Sequence, residues 1–278
     1  MTKRTVKKKL KKLYSAWLKS LPKTLKKDVK SSTFVSGGAI VSLLTDDVVH
    51  DLDVYLTDKR VAESLVRHYL GEINCRDAND ADVQETADGV KVFIRSSGIV
   101  EEGDASEDKI TMFRTSKKES ENYKPVVITD NAITLSGGVQ IILRFVGSPE
   151  TVHTNFDFEH CKCYYTPGKD ELVLPKTSLL SIVTKELMYG GSKYPLCSII
   201  RTRKFIQRGW SIHAGQYLKM IWQCGELDLN SISVLQDQLI GVDALYFISI
   251  LRDLREAKAE GRQITSSYVA ELVDKAFG

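Results

Sequence analysis

Cysteine and proline are both scarce here, with five and six copies in 278 residues. The cysteines, at 75, 161, 163, 197 and 224, are too few and too scattered for a disulfide framework. Their odd number fits reduced thiols, so the expected setting is intracellular, in the cytoplasm. No apolar run approaches the ~20 residues that span a bilayer. No continuous apolar stretch follows the basic N-terminus, so neither a membrane span nor a secretory leader is expected. The sequence also lacks an internal repeat, the Gly-Lys-Ser/Thr ending of a P-loop and any motif of a Ser/His/Asp hydrolase.

Charge is present in quantity and is unevenly placed. Residues 1–30 hold twelve Lys or Arg and one Asp, a net +11, so the other 248 residues carry −8 of the total of +3. A basic arm on an acidic body points to a polyanionic partner. Within the arm Val6, Leu10, Leu13, Tyr14, Trp17, Leu18 and Leu21 recur every three or four residues, ahead of Pro22. That spacing predicts an amphipathic helix docked on the body. Lys7, Lys8, Lys9, Lys11 and Lys12 then face outward toward a nucleic-acid backbone.

Residues 34–56 predict a strand or turn, a short helix at Ala39–Leu44 and a strand at Leu52–Leu56. A helix starting near Thr57 and Asp58 and stopping at Gly71 follows. The acidic stretch 74–89 reads as a loop and lacks the glycine and glutamate of a calcium loop. From Val90 to Leu174 the apolar runs are short and strand-like, "NFDFEHCKCYY" (155–165) among them. From Lys176 helical periodicity takes over in five or six segments, with Trp210 and Trp222, like Trp17, expected in the core. The fold class is α+β, in three parts: a basic helix (1–30), a mixed sheet with helices (31–175) and an all-helical domain (176–278).

Three features carry chemistry. Ser36, Gly37 and Gly38 precede a short helix, where backbone amides can meet a phosphate. Asp51 and Asp53, one residue apart on a strand, share a face, an arrangement suited to Mg²⁺. Asp157, with Glu159 as the runner-up, offers a third acid. The group His160, Cys161 and Cys163, with His153 nearby, lacks the spacing of a closed zinc site.

Gly-Gly, a short helix and then acid–apolar–acid resembles the nucleotidyltransferase fold of the DNA polymerase beta superfamily. It is similar in particular to the head of tRNA nucleotidyltransferases (CCA-adding enzymes) and bacterial poly(A) polymerases. Their pattern places Asp-x-Asp thirteen residues after the second glycine, as Gly38 and Asp51 are placed here, with Leu43 and Leu44 in the leucine positions. Val41-Ser42 departs from that family's Arg-Asp. "IIRTRKFIQRGW" is similar to the helix after the head, and puts Arg201, Lys204 and Arg208 on one stripe. The resemblance implies transfer of a nucleoside monophosphate from an NTP to a hydroxyl, most simply an RNA 3′ end such as that of tRNA. It implies two Mg²⁺ ions (Mn²⁺ substituting) on Asp51, Asp53 and Asp157. Ser36, Gly37, Gly38, Arg201, Lys204 and Arg208 would hold the NTP. A catalytically silent nucleic-acid or nucleotide-binding module, or transfer to a protein or small-molecule hydroxyl, is the alternative.

Overall fold

The computed structural model describes residues 1–72, 81–94, 111–112, 123–128, 131–229, 231–239, 253–254 and 256–277. The first part of the acidic loop, the ends of the run at 109–113 and the helical periodicity at 240–252 lie outside them. The chain divides into two compact units, one of residues 1–153 with 160–179 and one of 154–159 with 180–278.

The first unit opens with α1 (Lys3–Ser20), capped by the Thr2 side chain, which accepts from the Thr5 N–H. Val6, Leu10, Tyr14 and Trp17 are its buried stripe, each side chain stabilising the fold by roughly 1.5–3 kcal/mol through burial. Two polar tips stay satisfied inside. The Trp17 indole donates to the Tyr69 hydroxyl at 2.9 Å, and Tyr14 and Thr33 share a 2.7 Å hydroxyl contact. Burial pushes the Tyr14 phenol well above its usual range. Pro22 ends α1 as expected but also caps a second helix, α2 (Lys23–Ser31), which the sequence did not reveal.

Then come β1 (Thr33–Ser36), α3 (Gly38–Thr45), β2 (Leu52–Leu56) and α4 (Lys59–Glu72), the last running one residue past Gly71. The remaining strands are β3 (Ala81–Glu85), β4 (Val90–Ile94), β5 (Thr111–Met112), β6 (Pro125–Ile128), β7 (Ala132–Leu135), β8 (Val139–Val146), β9 (Tyr164–Thr166) and β10 (Glu171–Val173). Eight of them form a mixed sheet in the order β10-β9-β1-β2-β8-β7-β6-β5, with β2 and β8 parallel and the other pairs antiparallel. β3 and β4 form a separate ribbon, so part of the stretch read as a loop is a strand.

The segment 155–165 departs most from expectation. α5 (Pro149–His153) precedes it, Phe158 forms an isolated bridge with Tyr189, and a 3₁₀ turn covers Glu159–Lys162 before β9 begins. Its alternation of polar and apolar residues is read by tertiary contacts rather than by a ladder. Phe158 packs edge-on against Tyr189 and Phe205. The Gly190 N–H donates to the Asp157 carbonyl and the Glu159 N–H to that of Met188.

The second unit is helical, with α7 (Pro195–Gln207), α8 (Ala214–Cys224), α9 (Ile232–Leu239) and α10 (Ser266–Phe277). The helix α6 (Lys176–Thr184) straddles the division. Cys197, Leu254 and Leu272 form a buried cluster joining α7 to α10. Trp210 is buried as expected, whereas Trp222 is 74% exposed.

Candidate active site

β1 and β2 pair with Ser36 opposite Asp53, so these two side chains share a sheet face. Gly37 leaves β1 at φ +88°, a region that glycine enters without penalty. A Cβ built on it would lie 2.8 Å from Asp53 Oδ2. The backbone conformation favours glycine there, and a side chain would also push on the Asp53 carboxylate. Gly38, exposed at the first position of α3, has nothing within 4 Å of its Cβ direction. Asp53 is half-buried and Asp51 exposed, just ahead of β2.

Below the acids the same face is aromatic. Tyr55 stacks on Phe34 with centroids 5.3 Å apart, and His153 and Tyr164 meet Phe34 edge-on. Ser36 is fully buried and its hydroxyl lies 2.9 Å from His153 Nε2, 3.1 Å from the Cys161 carbonyl and 2.8 Å from that of Cys163. The hydroxyl has one proton, so when it goes to a carbonyl the His153 tautomer protonated at Nε2 donates to the Ser36 oxygen. The Ser36 hydroxyl, expected at a phosphate, here lies against the backbone at 161–163. The Gly37 N–H is likewise engaged, donating to the Cys161 carbonyl at 3.1 Å. Burial raises the Cys163 thiol to about 12, which keeps it an unreactive filler.

Two neighbours were not legible beforehand. His153 reaches Ser36 across 117 residues of sequence. Gln140, the register partner of Asp53 on β8, donates to Thr134 at 3.4 Å. A polar residue opening an otherwise apolar strand run was the only signal for Gln140.

Asp157 belongs to the second unit, in a bend rather than a strand. It is 6% exposed, accepts from the Phe158 N–H at 3.0 Å and pairs with Arg201 at 2.8 Å. Arg201, assigned to the nucleotide, is thus committed to a carboxylate of its own unit. Lys204 and Arg208 are exposed at the end of α7. In the basic arm Lys7 and Lys11 pair with Asp170 at 3.4 and 3.3 Å, while Lys8, Lys9 and Lys12 are exposed.

Among the described residues no group of three or more His, Cys, Asp or Glu side chains comes together. The Asp51–Asp53 donor set nevertheless suits a hard divalent cation. Both donors are carboxylates with access to solvent, and the missing Cβ at Gly37 leaves room beside Asp53. Mg²⁺ takes one or two such carboxylates and completes its shell with water and phosphate oxygens. Among the described residues no helix is long and apolar enough to cross a membrane.

Among solved structures the chain is similar to a tRNA-processing enzyme with CTP, at 12% identity over 87% of this chain and 57% of that one, with a TM-score of 0.43. It is also similar to the Thermotoga maritima CCA-adding enzyme complexed with tRNA, at 12% identity over 89% and 53% of the two chains, again with a TM-score of 0.43. A curated relative, "Gabija anti-defense 2" of Bacillus phage SPbetaL7, is 18% identical over 267 residues. That match covers 96% of this chain but 55% of the phage protein, so the chain spans little more than half the length of its relative. The family model described as Gabija anti-defense 2 family protein matches residues 8–185, well over half of the sequence, and the chain belongs to that family.

Proposed function

We propose that the chain is a Mg²⁺-dependent nucleotidyltransferase whose activity counters a defence of the kind named in its phage relative. The observation that carries this reading is the fit between Gly37 and Asp53. A glycine favoured by its positive φ delivers the start of α3 within reach of the Asp53 carboxylate, which is separated from Asp51 by one residue.

In the proposed reaction an acceptor hydroxyl oxygen, most simply at an RNA 3′ end, attacks the α-phosphorus of an NTP. The bond from that phosphorus to the bridging oxygen breaks, and pyrophosphate leaves. Asp51 and Asp53 would hold the metal, which when bound neutralises phosphate charge and favours loss of the hydroxyl proton. The N-terminus of α3, opened by the exposed Gly38, favours the anionic phosphates. Gly37 keeps Asp53 in place, and the Ser36–His153 contact braces the end of β1 beneath it. Lys204 and Arg208 remain available to a triphosphate, while the Asp157–Arg201 ion pair enters the proposal as a unit, each partner neutralising the other. In that pair neither the assigned metal ligand nor the assigned NTP contact acts alone.

The second reading, a silent module that binds nucleotide or nucleic acid, is favoured by a specific observation. The Ser36 hydroxyl and the Gly37 amide already have backbone carbonyl partners and Arg201 gives one N–H to Asp157, which supports a site with fewer donors for a nucleotide.

One experiment separates the two. Purified protein is incubated with each α-labelled NTP, Mg²⁺ and total RNA, beside Asp51→Asn and Asp53→Asn. The variants also enter a plaque assay on a Gabija-defended host. Transfer is expected from the wild type, with a fall of at least about a hundredfold in either variant, and phage protection is expected to fall with it. Protection retained by both variants, with no label transferred by the wild type, would establish the silent module instead.

A further inference from the structure

The turn between β9 and β10 faces the N-terminal half of α1 across a cleft of about 580 Å³. Its walls carry four cations, Lys3, Arg4 and Lys7 from α1 and Lys169 from the turn, against two carboxylates, Asp170 and the exposed Glu171 at the start of β10. Asp170, in the left-handed region at φ +50°, sits among them. The Tyr165 hydroxyl donates to Asp170 Oδ1 at 2.8 Å, while Oδ2 takes Lys7 and Lys11 and the Asp170 carbonyl takes Lys7 again at 3.1 Å. Lys3, Arg4 and Lys169 make no ion pair with a described residue.

The positive surface continues beyond the cleft. At 100° per residue Lys7, Lys11, Arg4, Lys8 and Lys12 follow one another around α1, away from the buried stripe. Arg4 and Lys12 are also about 12 Å apart along the axis, at ~1.5 Å per residue. A compact phosphate ion does not fill that reach, whereas a chain of phosphates does. Among the described residues Leu172 is the only apolar side chain lining the cleft, and none of them lines it with an aromatic ring on which a base could stack. The chemistry offered is charge alone.

We infer that this cleft and the adjoining face of α1 seat the phosphodiester backbone of an RNA strand without reading its sequence. Asp170 serves as a built-in counter-anion, holding Lys7 and Lys11 until phosphates replace it. The choice of RNA rests on the transfer reading above; the backbone seat itself does not.

The test measures anisotropy of a fluorescein-labelled oligouridylate of about twenty nucleotides across a salt series, where each phosphate contact adds about −0.7 to the slope. Three full-length proteins are compared: wild type, the double variant Arg4→Ala/Lys169→Ala, and Asp170→Asn, which keeps an Oδ1 acceptor for Tyr165. The double variant is expected to bind about tenfold or more weakly with a flatter slope. Asp170→Asn is expected to bind about three- to tenfold more tightly with a steeper one. Thermal melts identify a variant that has failed to fold, and single Arg4→Ala and Lys169→Ala variants then replace the double one. Unchanged binding in the lysine and arginine variants, or no tightening in Asp170→Asn, would overturn the seat. A preference of about tenfold for heparin over the RNA strand would also overturn it, by assigning the face to another polyanion. Binding that follows this pattern without nucleotide transfer would leave the seat standing while the transfer reading fails.

Discussion

Trp17 in the first unit is fully buried with its indole N–H on Tyr69, whereas Trp222 in the second stands 74% exposed on α8 beside Leu218 and Ile221. Both come from amphipathic helices. α1 has one apolar stripe and buries Val6, Leu10, Tyr14 and Trp17 on it, leaving Leu13 at its edge 39% exposed. α8 has apolar residues on two faces and buries only the one carrying Met220, leaving Leu218 61% and Ile221 58% exposed. Periodicity in a sequence reports that a helix has a stripe, but not which surface covers it. The first unit is therefore organised by burial, and the second leaves part of its apolar surface open.

The sharpest way to break this contrast is to remove each tryptophan. Trp17→Ala empties a packed position and removes one donor from the Tyr69 hydroxyl, so a loss of about 3–5 kcal/mol is expected. Trp222→Ala is expected to stay within about 0.5 kcal/mol. Urea unfolding of both measures the difference. Equal losses would mean that α8 is covered in solution, and the contrast between the units would disappear.

The same contrast explains how much was legible beforehand. α1 and β2 follow from local rules, a three-to-four-residue apolar repeat with Pro22 beyond it and an alternating run bounded by acids. The Gly-Gly and Asp-x-Asp spacing was equally local, and it brought Gly37 and Asp53 to attention before their contact was visible. What escaped depends on distant partners. Nothing near Ser36 announces that His153 and two carbonyls enclose its hydroxyl. The alternation in 155–165 resembles a strand, yet Phe158 follows Tyr189 and Phe205 into the second unit's interior. β3 was hidden by its acidic composition and exists through pairing with β4. A register partner overrides a weak local preference in such cases.

Within the first unit, adjacent glycines offer a second comparison. Gly37→Ala forces a side chain into φ +88° and against Asp53, with an expected loss of about 1–3 kcal/mol. Displacing that carboxylate by about 1 Å is expected to lower transfer about a hundredfold. Gly38→Ala has open space and a helical position, so it is expected to be neutral or to stabilise by up to about 1 kcal/mol. Melting temperatures with labelled-NTP transfer test both. If the two substitutions matched, the approach of Gly37 to Asp53 would not be what organises the site.

The last comparison lies within the second unit and tests what Arg201 is for. Its guanidinium is 2.8 Å from Asp157, whose side chain is 8% exposed while that of Arg201 is 42% exposed. Removing one partner of a fully buried pair costs about 3–5 kcal/mol, but solvent reaches this arginine and screens the pair, so Arg201→Ala is expected to cost about 1–2 kcal/mol. Asp157→Asn in the same chain should return part of that loss, because a neutral amide no longer needs the guanidinium, and the Phe158 N–H still has an oxygen to donate to. A double-mutant cycle by urea unfolding reads the coupling directly. If Arg201→Ala leaves stability unchanged but raises KM for the NTP, the arginine serves the nucleotide and the ion pair is incidental. A stability loss that Asp157→Asn relieves, with KM unmoved, places Arg201 in the framework of the helical unit and leaves Lys204 and Arg208 as its candidates for phosphate.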